Sequence, residues 1–138
     1  MSAKDFFHDA VRRGLEKDRW QITDDPLELE WEEVKVKIDL AAERLIAAER
    51  DQQKIAVEIK SFISASAISD FHTALGQFLN YRMMLEVNES DRQLYLAIPL
   101  DAYETFFQSN FAQASIDRYQ LKLIVYEPIA EEIVKWIN

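Results

Sequence analysis

The sequence contains no cysteine, two glycines (Gly14 and Gly76), three prolines and two histidines (His8 and His72) in 138 residues. Each scarcity excludes a class of chemistry. Without cysteine there is no disulfide, no thiolate zinc site and no cysteine nucleophile, and a reduced, cytoplasmic protein is the expectation. Two isolated glycines cannot build a Walker loop or a dinucleotide-binding turn, since both need several glycines in one short segment to bring backbone amides against phosphate. No G-x-S-x-G elbow and no H-E-x-x-H pair occurs, so a typical α/β-hydrolase and a zinc protease are also excluded. No apolar run approaches the roughly 20 residues of a membrane span. The opening MSAKDFFHDAVRR has no apolar h-region, so no secretory signal is expected.

What is present is a chain able to bury a core. Hydrophobic residues make up 49% and aromatics 12% of the sequence, which suits one packed domain and argues against disorder. The 25 acidic residues outnumber the 16 basic ones, for a formal net charge of −9. Affinity for nucleic acid comes largely from Lys and Arg neutralising phosphates. A DNA-directed role for this chain therefore calls for a divalent metal, a local basic patch or a basic partner.

The hydrophobic pattern predicts a helix over residues 4–19, where Phe7, Val11 and Leu15 recur at i, i+4, i+8. WQITDDPLEL follows as turn or loop around Pro26. Val34, Val36 and Ile38 alternate with Lys35, Lys37 and Asp39, the period of a half-buried strand. A second strand is expected near Leu45–Ala48, then a DQQK hairpin turn and a central strand in IAVEIKSF. Residues 69–86 read as a helix, with Ser69 and Asp70 as N-cap candidates. RQLYLAIPL reads as a strand, DAYETFFQSNF as a short helix, QLKLIVYEP as the last strand and EEIVKWIN as a terminal helix. The order predicts a single α/β domain with a mixed central sheet covered by helices on both faces.

The segment Ile55–Lys60 is the most informative chemically. Ile55, Val57 and Ile59 point to one face of the strand, Glu58 and Lys60 to the other, about 7 Å apart. A charged pair on an otherwise apolar strand is costly unless that face is exposed or functional. Asp39 lies 19 positions before Glu58 at the end of another predicted strand, so strand pairing would bring two carboxylates together. A divalent cation relieves their repulsion, and hard oxygen ligands suit Mg²⁺ or Mn²⁺. Such a cation lowers the pKa of a bound water and polarises a phosphoryl oxygen. Lys60 would then orient the water or offset developing phosphorane charge.

Asp39 followed by Glu58-Ile59-Lys60 resembles the D…(D/E)-x-K signature of restriction-endonuclease-like nucleases. Gln77-Phe78-Leu79-Asn80-Tyr81 is similar to the Q-x-x-x-Y element of the RecB-like and Cas4-like branches, and i, i+4 spacing puts Gln77 and Tyr81 on one helix face. At whole-chain level, KDFFHDAVRRGLEKDRWQITDDPL, DLAAERLIAAE, IAVEIKSF, ALGQFLNYR, DRQLYLAIP and YQLKLIVYEP resemble the XisH family of fdxN-element excision controlling factors. The resemblance implies a restriction-endonuclease-like α/β/α sandwich spanning residues 1–138. It also implies an accessory role in programmed DNA excision beside an XisF-type recombinase and an XisI-type companion protein. By the same analogy, Asp39, Glu58, the backbone carbonyl of Ile59 and His8 are metal ligands, while Gln77 and Tyr81 position the phosphate or the lysine. A homodimer is expected, as many nucleases of this fold pair to reach both strands.

Each signal has a plainer alternative. E-x-K by itself is also a surface ion pair, and Gln77 with Tyr81 is also a polar pair on a helix face. His8 is also an ordinary helix residue, and His72 packs or faces solvent. Asp24 and Asp25 before Pro26 make a turn, with a contribution of one of them to the site as the alternative, while Glu43 and Glu49 are alternative carboxylates should the hairpin register differ. Trp20, Trp31 and Trp136, with Phe106, Phe107 and Tyr126, are core or interface residues before they are base-stacking ones. The rival function is non-catalytic: a control factor that keeps the nuclease fold and works by binding a recombinase, a companion protein or a DNA junction.

Overall fold

The computed structural model describes residues 3–32, 34–36 and 45–138. Helix α1 (Ala3–Lys17) is followed by strand β1 (Gln21–Asp24) and a two-stranded antiparallel hairpin, β2 (Leu29–Trp31) with β3 (Val34–Val36). Strands β4 (Leu45–Arg50) and β5 (Gln53–Ile59) come next, then the long helix α2 (Ala67–Asn88) and β6 (Arg92–Pro99). A short helix α3 (Leu100–Glu104), a 3₁₀ turn (Phe106–Gln108) and α4 (Asn110–Tyr119) lead to β7 (Leu123–Glu127) and β8 (Glu132–Ile137).

Six strands form one mixed sheet in the order β1-β4-β5-β6-β7-β8. β5, β6 and β7 run parallel, while β1, β4 and β8 join antiparallel. The sheet divides the core in two because strand side chains alternate. On one face Ile46, Ile55, Val57, Ile59, Tyr95 and Tyr126 pack under Ala10, Val11 and Leu15 of α1. On the other, Ala56, Leu94, Leu96, Ile98 and Val125 meet Phe71, Phe78, Tyr81 and Leu85 of α2 and Ala112 of α4. Residues Leu94 to Pro99 of β6 are buried without a break, as expected of a parallel strand covered on both faces. The α/β class, the mixed sheet and its two helical layers agree with the sequence pattern.

The β4–β5 hairpin closes at Asp51-Gln52, where φ is 49° and 69°. Both residues lie in the left-handed region, the geometry of a two-residue hairpin turn that usually selects Asn-Gly. The expected turn in DQQK is therefore confined to Asp51-Gln52, and Gln53 and Lys54 already belong to β5.

Four local expectations differ. EEIVKWIN is strand β8, pairing antiparallel with β7, instead of a terminal helix. Its Ile133, Val134, Trp136 and Ile137 favour a pleated strand, and the β7 edge offers a full ladder of backbone partners. QITD, read as loop, is β1, recruited to the outer edge of β4. The α2 cap is Ser66, not Ser69 or Asp70: the Ser66 Oγ accepts the Ser69 backbone N–H at 3.2 Å. The helix expected over residues 101–111 is instead split, with Ser109 capping a separate α4 through the Ala112 N–H at 3.2 Å.

Candidate functional site

Glu58 and Lys60 lie where β5 ends, at the carboxyl end of the parallel strands, the end at which open α/β sheets bind their ligands. Ile55, Val57 and Ile59 face α1. Alternation therefore turns Glu58 and Lys60 toward α2, into the layer that holds Ala56, Phe78 and Tyr81. Both charged side chains are buried, Glu58 to 2% exposure and Lys60 to 8%. Solvated surface pairs are not enclosed in this way, so the surface-pair alternative for E-x-K does not hold.

The Lys60 Nζ lies 3.5 Å from the Glu58 Oε1 and donates a hydrogen bond to the Gln77 Oε1. Gln77 reaches it from the third turn of α2, and Tyr81, one turn further on, is buried at 6% exposure. Three elements of the predicted constellation thus meet: the strand carboxylate, the strand lysine and the helix amide. The Lys60 backbone is held from both sides, its N–H donating to the Ala97 carbonyl at 3.0 Å. Its carbonyl accepts the Tyr126 hydroxyl at 2.8 Å. Tyr126 is fully buried and carries the edge of Phe7 from α1 against its ring, 6.4 Å between centroids. That clamp joins partners 66 positions apart, and no sequence motif signals it.

Asp39, and with it Glu43, lies outside the described residues. The neighbouring strand β3 pairs with β2 in the small hairpin and is not part of the six-stranded sheet. His8 is half-buried on α1, its Nε2 2.8 Å from the Asp25 Oδ2. The same oxygen accepts from the Arg12 Nη1 at 2.5 Å. Asp25 therefore does more than turn the chain: it gathers an imidazole and a guanidinium around one carboxylate oxygen. Glu49 sits at the far end of the β4–β5 hairpin, opposite Lys54 and 3.8 Å from the Arg92 Nη2, away from Glu58. Among the described residues, no three His, Asp or Glu side chains cluster so as to hold a metal ion.

Three basic side chains that could grip phosphate, Arg12, Arg13 and Arg82, are engaged with other partners. Arg12 pairs with Asp25, Arg13 with Glu131 at 2.5 Å, and Arg82 donates to the Tyr119 and Gln120 carbonyls at 2.7 and 3.2 Å. The Arg13 guanidinium is pushed to a higher pKa by its hydrogen bond and charge interaction with Glu131.

The β5–α2 connection carries a further feature. Phe62, two residues after Lys60, has φ 52°, a left-handed conformation that bulky residues seldom adopt. Its ring packs edge-on against Phe107 at 5.2 Å, which holds the chain there as it leaves the site.

Comparison with known proteins covers nearly the whole chain. A family model described as XisH protein matches residues 1–134. A crystal structure of an XisH family protein from Nostoc punctiforme is 51% identical, with a TM-score of 0.89, covering 97% of this chain and 100% of its own. The crystal structure of a fdxN element excision controlling factor protein from Anabaena variabilis is 54% identical, also with a TM-score of 0.89. It covers 97% of this chain and 99% of its own. No curated protein matches. Among the described residues, no helix is long and apolar enough to cross a membrane.

Proposed function

The chain belongs to the XisH family of fdxN-element excision controlling factors, and from that premise we propose that it carries a nuclease-type site acting on DNA during element excision. The observation that supports this reading is the buried Glu58–Lys60–Gln77 arrangement at the carboxyl end of β5. Burying a carboxylate and an ammonium costs several kcal/mol per ion before pairing. An apolar pair would fill the same space between β5 and α2 without that cost, so a charged one suggests chemistry.

The reading takes the fold as a restriction-endonuclease-like sandwich working in the cytoplasm, with DNA as substrate and XisI-type and XisF-type proteins as partners. The donor chemistry fits a hard divalent cation, Mg²⁺ or Mn²⁺, provided that Asp39 adds a second carboxylate to Glu58. The Ile59 carbonyl and His8 are the remaining ligand candidates. When bound, the cation supplies a water of lowered pKa and a polarised phosphoryl oxygen. Lys60, oriented by Gln77, would place its ammonium to orient an attacking water and to offset charge growing on phosphorus. Tyr81 lines the same layer and positions the phosphate or the lysine. Low exposure around Glu58 and Lys60 strengthens each of these interactions relative to water.

Glu58→Ala and the isosteric Glu58→Gln should both abolish Mg²⁺- or Mn²⁺-dependent cleavage of single-stranded, duplex and branched DNA while circular dichroism stays native. Full activity in either variant refutes the assignment.

A second reading is favoured by a specific observation. Arg12 and Arg13 are each neutralised by a carboxylate, and the chain carries a formal charge of −9. In that reading the protein is a non-catalytic control factor that acts by binding a recombinase or a companion protein, alone or as a homodimer. Absence of cleavage by folded wild-type protein, with and without an XisI-type partner, would select it.

A further inference from the structure

At the opposite end of the sheet, where β5 and β6 begin, lies a groove of about 480 Å³. Its floor is aromatic. Trp20 stacks on Trp136 with centroids 5.6 Å apart and planes 28° apart, and Tyr95 meets Trp136 edge to face at 5.0 Å. A cation caps each end of the row: the Arg50 guanidinium 4.5 Å over Trp20, and the Lys122 ammonium 5.9 Å over Tyr95. Two of the three tryptophans of the chain are spent here.

The groove wall is amide-rich: Gln52, Gln53, Gln93 and Asn138 all line it. Side-chain amides both donate and accept, so they match the hydrogen-bonding edge of a nucleobase. Aliphatic lining is limited to Ile55, which leaves little to hold a greasy peptide side chain. Trp20 is only 4% exposed, and its indole N–H finds no partner among the described residues. A buried donor left unmet asks for an explanation that packing alone does not give. Gln52 stands at the hairpin position where glycine would relieve a φ of 69°, and its side chain faces the groove instead.

From these observations we infer that the groove holds an unpaired base of a single-stranded nucleic acid. It is a site separate from Glu58 and Lys60, since the six residue steps of extended chain from Lys54 to Lys60 span about 20 Å. Charge defines its character. Lys54 is paired with Asp91 at 3.3 Å and with Glu49 at 4.0 Å, so the cations left to meet phosphate are few, Arg50 and Lys122 at the two ends of the row. Recognition therefore rests on base stacking and amide hydrogen bonds, and it should show a shallow salt dependence, unlike binding driven by counterion release. This is also how an acidic protein can hold nucleic acid without a basic surface.

The inference needs neither metal nor cleavage, so it is tested in EDTA by fluorescence anisotropy of a labelled short single-stranded oligodeoxynucleotide, beside the same sequence as duplex. The expected result is saturable binding of the single strand, little binding of the duplex, and a small change between low and moderate salt. Trp136→Leu should weaken binding about tenfold, in line with the loss of one stacking contact. Gln52→Gly removes a groove side chain while relaxing the turn, so it should fold at least as well as wild type and bind several-fold more weakly. Gly76→Ala, on the exposed side of α2 and outside both sites, should bind like wild type, and because the assay runs without metal, failure of this site and failure of the nuclease reading are read separately. Equal affinity for duplex, a steep salt dependence, loss of binding in Gly76→Ala, or unchanged binding in both groove variants overturns it.

Discussion

Replacing each of the two glycines by alanine makes one chemical change in two helices and should move stability in opposite directions. Gly76 sits inside α2 on its exposed side, and a Cβ built there meets nothing within 4 Å. Only the backbone preference then operates, and alanine exceeds glycine in a helix interior by about 1 kcal/mol. For 138 residues, an unfolding entropy of about 2.1 cal/mol/K per residue gives close to 0.3 kcal/mol/K, so Gly76→Ala should raise Tm by about 3 °C. At Gly14, on α1, the same propensity gain is opposed by packing. A Cβ there would lie 3.1 Å from the Ile133 Cδ1, 3.3 Å from its Cγ1 and 3.2 Å from its backbone nitrogen. The side-chain atoms can rotate aside, but the nitrogen belongs to the β7–β8 ladder and moves only with the strand. Overpacking of this kind costs about 1–3 kcal/mol, so Gly14→Ala should come out neutral to destabilising by about 2 kcal/mol. Differential scanning calorimetry of the two variants reads both shifts. Equal stabilisation by both would refute the close seating of α1 on β8.

Two further predictions concern the tyrosines. Tyr126→Phe keeps the ring against Phe7 but removes the donor to the Lys60 carbonyl; a buried acceptor losing its donor costs about 1–3 kcal/mol. Tm should fall accordingly by about 3–10 °C, and an unchanged Tm would show that the hydroxyl does not anchor the end of β5. Tyr95 donates to the Asn138 Oδ1 at 2.5 Å, and burial pushes its phenol above the ordinary value of 10.0. The folded state then holds a proton that the unfolded chain releases. Tyr95 therefore contributes fully below about pH 10 and loses stability as pH rises past it. Urea unfolding across that range should fall more steeply for wild type than for Tyr95→Phe, and parallel curves would contradict the sign.

The mixed arrangement of these elements bears on how such a site is found. Sheet and helix periods were legible because burial imposes them on residue order: Phe7, Val11 and Leu15 repeat along α1, and Ile55, Val57 and Ile59 alternate with Glu58 and Lys60 along β5. The E-x-K strand and the Gln77 helix could be named from local spacing, since each sits within one element. By itself, then, the sequence determined the class of the fold, the two-sided β5 strand, the presence of a turn within DQQK and the identity of three groups that meet beneath α2. Other features depend on partners distant in the chain. EEIVKWIN carries a helical as well as a strand pattern, and only the open edge of β7 decides for the strand. QITD is too short to declare itself and becomes β1 by pairing with β4. Tyr126 reaches the Lys60 carbonyl, and Asp25 gathers His8 and Arg12, because the sheet brings their elements together. The aromatic row of Trp20, Tyr95 and Trp136 comes from three strands or strand ends scattered over the whole chain. Such contacts follow from sheet order, which is settled by competition among all possible edges, and local periodicity holds no record of that competition.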